Sequence, residues 1–368
     1  MKIGIDAKWF FEGPPSNRVV IRNLVEHILA QNKKDNFYVF LKKADKKKTF
    51  PYSYQNVKLV YVNTFTNALT NIFILPFYTR KFFLDVMLFQ NFPSPFCKSV
   101  SINYIHDILY LDYPQYFTFL ELIYLWPIKI LTRRCDHVIT ISNSEKTRLI
   151  KHGFKSENKI SVVYHGVNRK FRTKFSESEC KRIKEKYDLP ESFILYVGRL
   201  NHRKNISTLI KALNETDNMN LVIVGKTDNQ HINIKKLVKT LDLKSRVIIT
   251  GHLPDTEIPY LYAMAKFFCF PSYAEGFGLP PLEAMAVGTP LIVSNSTSLP
   301  EVCGDAAIYF NPESHFELKD KIIKINSDKN QYMELKQKGI ERSKCFNWED
   351  AAFKLNHVLH EVFNNNKT

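Results

Sequence analysis

The stretch FFCFPSYAEGFGLPPLEAMAVGTPLIVSN (267–295) decides the fold. It opens on a strand candidate, FFCFPS (267–272), and closes on another, PLIVSN (290–295). Between them lie a glycine loop, with Gly276 and Gly278, and a helix start. Pro281 suits the first helical turn, where a missing N–H costs nothing. Continuous apolar runs of this kind suit strands buried on both faces, and strands joined by a helix form a parallel crossover unit.

The same pattern extends in both directions. Upstream in the second half lie FILYVG (193–198), NLVIVG (220–225) and RVIITG (246–251), and downstream AAIYF (306–310). The first half repeats the idea with KIGIDA (2–7), FYVFLK (37–42), VKLVYV (57–62), VMLFQN (86–91), SINYIH (101–106) and HVITIS (137–142). Helical stretches are expected around 17–31, 119–134 and 144–152, and a polar helix-like segment ends at Pro190. The prediction is an α/β chain of two doubly wound, Rossmann-like domains facing each other across a cleft. Residues 1–170 form the first and 171–347 the second. Residues 348–368 supply an amphipathic helix that packs back on the first. Folds of this class bind ligands beyond the carboxyl ends of their strands.

Composition narrows the class. The chain has 368 residues, 45% hydrophobic and 24% charged, which is ordinary for globular domains. Its net charge of +16 is uneven. Residues 1–170 carry 25 Lys/Arg against 12 Asp/Glu, and the remainder 27 against 24. A basic first half points to an anionic partner, and a solubilising excess is the alternative. Six scattered cysteines form no C-x-x-C pair, which argues against a zinc knuckle or a redox dithiol. Free thiols, and an opening MKIGIDAKWF that reads as a first strand, lead to the expectation of a reducing cytosol. The most apolar stretch, LTNIFILPFYTRKFFLDVMLFQNF (69–92), is broken by Pro76, Arg80, Lys81 and Asp85. It suits the surface of a membrane rather than a span.

Three places carry chemistry. At 274–290 the glycines let a ligand approach the backbone, and the helix start adds a positive dipole end, together a cradle for a diphosphate. Glu275 and Glu283, read as lying before the loop and in the first helical turn, border one volume. A carboxylate is a poor phosphate ligand but a good acceptor for hydroxyls, so Glu283 suits a ribose and Glu275 a transferred sugar. Capping of an ordinary helix is the alternative. In YVGRLNHRKN (196–205), Arg199 and Lys204 leave a strand end as two cations, suited to the charge that grows on a departing nucleoside diphosphate. The chain has no Asp-x-Asp, so no metal site is expected and the two cations would do the metal's work; solvated loop cations are the alternative. IHD (105–107) closes the strand SINYIH with a histidine.

E-G-F-G-L-P-x-L-E, with its glutamates at 275 and 283, resembles the donor-site motif of the retaining family 4 glycosyltransferases (glycosyl transferases group 1), which have the GT-B fold. The resemblance implies that Glu275 meets the donor sugar and Glu283 the ribose. V-G-R-L-x-x-x-K-N is similar to the family's diphosphate clamp, which puts Arg199 and Lys204 in that role. His106 would face the donor sugar, with Asp107 holding its ring. ITISNSEKTR (139–148) and VVYHGVNRKF (162–171) also resemble family elements. Donor contacts would further include Gly13, Leu253, Gly276, Phe277, Gly278 and Leu279. The family's Gly-Gly loop followed by an Arg is altered here: Gly13 and Arg18 remain, but Pro14 and Pro15 replace the second glycine. Proline has no N–H, so this loop loses a phosphate donor and instead shapes the acceptor side, with Arg18 and Asp107.

The implied reaction is retaining, metal-independent transfer of a hexose by front-face displacement. Mannose comes first, from GDP-mannose, with a UDP-hexose as the second choice. The acceptor is a polysaccharide or a lipid-linked glycan, no cofactor takes part and no nucleic acid is bound. The enzyme would sit in the cytoplasm, peripherally on an anionic inner membrane face. The competing readings are an epimerase, or a nucleotide-sugar-binding protein of the same fold without transferase activity.

Overall fold

The computed structural model describes residues 1–226 and 233–367. The chain folds into two compact units, Met1–Gly166 with Trp348–Thr368, and Val167–Asn347.

The first unit is built on a seven-stranded, wholly parallel sheet in the order β3-β2-β1-β4-β5-β6-β7. Its strands are β1 (Lys2–Asp6), β2 (Asn36–Lys42), β3 (Val57–Val62), β4 (Val86–Gln90), β5 (Val100–Ile105), β6 (His137–Thr140) and β7 (Ile160–Val162). β4 is buried along its whole length, as its unbroken apolar run demands. The helices are α1 (Pro15–Gln31), α2 (Asn67–Leu69), α3 (Leu75–Lys81), α4 (Phe119–Leu125), α5 (Pro127–Thr132) and α6 (Asn143–Lys151). α1 starts on Pro15 with no side-chain cap and buries Val20, Ile21, Leu24, Val25, Ile28 and Leu29, one stripe at helical spacing. The span 119–134, expected as one helix, divides because Pro127 opens a second one.

The terminal helix (Trp348–Asn365) packs along α1. Leu355 and Leu359 are buried. Asn356 Oδ1 accepts from Asn32 Nδ2 at 2.7 Å, and His360 Nε2 meets Asp35 Oδ2 at 2.7 Å. Asp35, 3% exposed, also takes the N-terminal ammonium at 2.6 Å. Burial pushes its carboxyl up, but these hydrogen bonds and the His360 ring outweigh that and hold it below its ordinary value.

The second unit has a six-stranded parallel sheet in the order β10-β9-β8-β11-β12-β13. Its strands are β8 (Phe193–Val197), β9 (Asn220–Val224), β10 (Val247–Gly251), β11 (Phe267–Phe270), β12 (Leu291–Ser294) and β13 (Ala307–Phe310). The helices are α7 (Glu177–Lys186), α8 (Ile206–Asn214), α9 (Ile234–Thr240), α10 (Ile258–Met264), α11 (Leu279–Val287), α12 (Leu299–Cys303), α13 (His315–Ser327) and α14 (Lys329–Lys344). Both units are thus doubly wound and Rossmann-like, as the alternating pattern predicts. Strand order reverses between β1 and β4 in one and between β8 and β11 in the other. Each reversal opens a crevice at the carboxyl ends of its strands.

Leu359→Ala removes a fully buried side chain and is expected to cost about 2–5 kcal/mol. The first unit's thermal transition should fall while the second unit's stays; a melting profile equal to wild type would show that the terminal helix does not hold the first unit together.

Candidate active site

In the second unit the expected residues gather at the carboxyl ends of β8 and β11. β8 runs into Gly198 and then Arg199, whose carbonyl accepts from Tyr196 Oη at 2.9 Å. The Arg199 side chain is exposed. A 3-10 turn follows, capped by Asn201, whose side chain accepts from Lys204 N at 3.2 Å. This turn aims Lys204 inward, where it is 9% exposed. Its Nζ donates to Glu275 Oε1 at 2.6 Å and lies 4.8 Å from the centre of the Phe270 ring.

Arg203 is the residue the sequence reading missed. Its Nη1 stands 3.2 Å from Glu275 Oε2 and also donates to the carbonyl of Ala274. The signal was there, in the middle cation of HRK, but a lone extra arginine on a loop looks like any solvated one.

The electrostatics follow from burial. Burial alone would push the Glu275 carboxyl up, yet Lys204 and Arg203 overturn it and hold the group at about 2. Lys204 is pulled down by burial to about 8, with Glu275 resisting and Arg203 and Arg199 assisting. At neutral pH both partners are therefore charged.

The loop that carries Glu275 is fastened from behind. Glu275 N donates to Thr297 Oγ1 at 2.9 Å, and Ser298 Oγ lies 3.0 Å from the carbonyl oxygens of both Glu275 and Phe277. Thr297 has a φ of 51°, a strained value for a β-branched residue and a mark of an over-determined loop. Gly278 precedes α11 with a φ of 107°, and a Cβ there would meet Leu299 Cδ2 at 2.8 Å. Only glycine fits. Gly276 and Phe277 are buried beside it, Phe277 against Phe346 at 5.8 Å between rings.

The helix start itself differs from the expectation. Pro280 and Pro281 both occupy the first turn, so neither provides an N–H for a bound anion. The amides of Gly278 and Leu279 are left for that purpose. Glu283 is the fifth residue of α11, hence in its second turn rather than its first. Its Oε2 accepts from Tyr262 Oη at 3.2 Å. Burial raises its carboxyl to about 7, with Lys170 pulling the other way. Leu253, after β10, is buried at 1% exposure.

In the first unit, Gly13, Arg18, His106 and Asp107 also lie beyond strand ends. Gly13 is tucked against Trp9, and a Cβ would meet that side chain at 2.7 Å. Arg18 N donates to Pro14 O at 2.9 Å, the first bond of α1. His106, 5% exposed, sits between the rings of Trp9 (5.8 Å) and Tyr104 (5.2 Å). Burial lowers its ring to about 3. The ring is held by Gln90, whose Oε1 is 2.9 Å from His106 Nε2, whereas the sequence reading gave that task to Asp107. Asp107 Oδ1 instead accepts from Leu109 N at 3.4 Å.

A buried network lies beside it: Lys8 Nζ donates to Asp6 Oδ1 at 2.5 Å and to Asn71, and Asn71 Nδ2 donates to Asp6 Oδ2 at 2.9 Å. Among the described residues, no group of three or more His, Cys, Asp or Glu side chains could hold a metal ion.

Comparisons with known proteins converge on one class. Residues 38–171 match the model of "Glycosyltransferase Family 4" and residues 178–342 that of "Glycosyl transferases group 1". A serotype-specific mannosyltransferase of Escherichia coli is 34% identical over 238 residues, 62% of this chain and 29% of that protein. An O-antigen chain mannosyltransferase of Salmonella typhimurium is 36% identical over 222 residues, 60% of this chain and 58% of that one. The chain thus matches less than two thirds of the length of either. Among solved structures, sucrose-phosphate synthase from Thermosynechococcus elongatus superposes with a TM-score of 0.78 at 21% identity, covering 99% of this chain and 100% of that one. The Anabaena protein HepE with UDP-glucose superposes at 0.76 and 17% identity, covering 98% and 100%. At those identities the likeness is one of fold.

Glu283 supplies a pH test of this geometry. Its folded-state pKa of about 7 lies above the ordinary 4.5, so the fold favours the protonated carboxyl. The stability this contributes is present below pH 4.5 and is lost as the pH rises through 7, at up to about 1.4 kcal/mol per pH unit between them. Glu283→Gln, which cannot ionise, should gain in melting temperature relative to wild type between pH 5 and 8. A difference that stays constant across that range would place the carboxyl in water.

Proposed function

Because this chain belongs to the family 4 glycosyltransferases, with the GT-B fold, we propose that it transfers a hexose, in the first instance mannose, from a nucleotide-diphosphate sugar to a polysaccharide or lipid-linked glycan, with retention and without a metal. The observation that carries this reading is the cation set at the end of β8. Lys204 is buried, charged and locked on Glu275, while the exposed Arg199 makes no ion pair among the described residues. A diphosphate placed against the amides of Gly278 and Leu279 would meet both cations. As the glycosidic bond breaks, charge grows on the leaving oxygen, and fixed cations in a dry site stabilise it without reorganising.

Glu275 keeps an ionised carboxylate beside the same lysine and accepts hydroxyls of the transferred sugar. Glu283 accepts from the ribose, and His106 is assigned to the transferred sugar. The acceptor hydroxyl attacks from the side the diphosphate leaves, and a diphosphate oxygen takes its proton. The mannosyltransferase relatives support mannose and an O-antigen type of glycan, with GDP-mannose the donor of choice and a UDP-hexose the alternative.

Arg199→Ala, Lys204→Ala and Glu275→Ala should each lower the transfer rate at least a hundredfold, about 3 kcal/mol of barrier, in folded protein. Turnover should survive EDTA. Near-wild-type rates in all three variants, or loss on chelation restored by Mg²⁺, would overturn the assignment.

The lipid-linked acceptor fits a second feature. Of the seventeen large hydrophobic side chains exposed among the described residues, twelve lie between Phe65 and Ile130. Phe73 (62%), Phe77 (61%) and Phe83 (79%) are exposed, while Phe82 is half-buried and stacks on Tyr38 at 4.9 Å. On α4 and its C-terminal edge, Phe119, Leu120 and Trp126 are exposed by 66% or more. A backbone hydrogen bond from Ala68 N–H to the Tyr124 oxygen joins this helix to the segment bearing Phe73. Exposed Arg80, Lys81, Lys98, Arg133 and Arg134 accompany it. In the lysine run, Lys48 is engaged with Glu12 and Asp45, which leaves Lys43, Lys46 and Lys47 exposed.

Aromatic side chains among exposed cations suit the interface of an anionic membrane, each cation contributing on the order of 1 kcal/mol before salt screening. The enzyme would thus work peripherally on the cytoplasmic face. Flotation with anionic vesicles at low salt should carry the protein up, with the double variant Phe119→Ser, Trp126→Ser left behind. Equal flotation with neutral vesicles, or none with either, would refute the membrane reading.

A further inference from the structure

Gln90 ends β4 at the point where the first sheet reverses, and it is 1% exposed. Its own carbonyl accepts from Asn67 Nδ2 at 3.2 Å and Asn71 Nδ2 at 3.4 Å, which fixes the strand end. Its side-chain Oε1 is the polar partner of His106 Nε2 at 2.9 Å. The Nε2 of the same amide is buried and has no hydrogen-bond partner among the described residues. The small cavity it borders is lined otherwise by apolar side chains, among them Ile5, Leu24 and Leu88, and offers it none.

His106 stands between two aromatic walls, Trp9 and Tyr104, so its ring has little freedom to turn. Burial keeps that ring neutral. A neutral imidazole carries one proton, and the partner of one nitrogen decides what the other can do. An amide is the unusual partner here, because its oxygen accepts and its nitrogen donates. The end that faces the ring therefore selects the tautomer.

We propose that Gln90 is a positioning residue that places the His106 proton on Nε2, through Nε2–H donating to Oε1, and leaves Nδ1 as a bare acceptor for a hydroxyl of the transferred sugar. The inference rests on the reading of His106 as the group that faces that sugar. An acceptor at this point selects donors that present a hydroxyl there. It also explains why a strand-end glutamine is kept buried with its side-chain nitrogen unsatisfied among the described residues, a state that costs free energy and calls for a reason. A wrong tautomer would place an N–H there instead, which a hydroxyl meets only through its oxygen, in a different orientation.

The test separates the tautomer from the chemistry. Protein labelled with ¹⁵N-histidine, with His106 assigned by difference from His106→Asn, reports the protonated ring nitrogen directly. Wild type should show Nε2–H. Gln90→Met, close in volume and without the amide, should show a mixture or the Nδ1–H form, with kcat down about tenfold or more and KM for the donor changed less. Gln90→Glu, whose carboxylate only accepts, should restore Nε2–H and raise the ring's pKa, a shift that a purely structural role would not produce.

An Nδ1–H ring in wild type, or a tautomer untouched by Gln90→Met, would overturn the proposal. If the tautomer follows Gln90 as expected but His106→Asn transfers at the wild-type rate, the positioning stands and the role of His106 falls.

Discussion

The proposed donor half of the site depends on one buried ion pair, Lys204 with Glu275. Either charge alone, at this depth, would cost several kcal/mol, and neutralising one would be the cheaper course. Together they stay charged because each supplies the other's field, and because Arg203 and the Thr297 and Ser298 hydroxyls complete the hydrogen bonding of the loop. A loop so fastened is expensive to deform. It keeps a lysine protonated where burial would otherwise strip it, with its carboxylate partner within hydrogen-bond reach of the same ammonium. Arg199 needs no such partner, since guanidinium stays charged without help. The two cations therefore differ in kind: one is buried and paired, the other is exposed, with no ion pair among the described residues.

This division explains the composition of the turn into α11. With the anchoring done by side chains behind the loop, the helix start can carry Pro280 and Pro281 and give up two amides. What it gains is rigidity, from fixed φ at two successive residues, separated by Leu279 from a glycine whose own φ of 107° disfavours any side chain. Gly225 shows the same economy of space between strands β8 and β9. A Cβ at Gly225 would come within 1.8 Å of the Gly198 carbonyl, so the loops that carry Arg199 and its neighbours can close together only over a bare backbone.

How far the sequence could be read follows from the range of each contact. Alternating apolar runs and helical stretches are local patterns, and they locate twelve of the thirteen strands among the described residues and the doubly wound class. β7 escapes because three residues, ISV, cannot display a pattern. The split at Pro127 is also local, since a proline opens a new helix there. The motif spacings mark Arg199, Lys204, Glu275 and Glu283 as residues to examine, and the structure places Lys204 against Glu275. Pairings between residues far apart in the chain are another matter. Gln90 with His106, Arg203 with Glu275, and Asn71 with Lys8 and Asp6 join positions that no periodicity connects, and burial of a lone Lys or Gln runs against composition rules.

The Asp6–Lys8–Asn71 network links two features of the first unit that would otherwise be unrelated. Asn71 belongs to a π-helical turn, Thr70–Ile74, lying between α2 and α3. An extra residue per turn changes which side chains share a face, and such turns recur at functional sites. Here Thr70 and Asn71 face inward, fully buried, while Leu69 and Phe73 on either side are exposed by 46% and 62%. One five-residue turn thus holds a buried amide on the end of β1 and presents an aromatic ring to the outside. The outer ring stacks on Phe96 at 6.0 Å between centroids and is otherwise largely exposed. Displacing the turn as a whole would take Asn71 from both Asp6 and Lys8 and leave a buried carboxylate and ammonium to satisfy each other alone. The apolar surface is therefore carried on a base whose other side is held to the end of β1. Whatever engages Phe73 engages it at a fixed distance from the loop that follows β1.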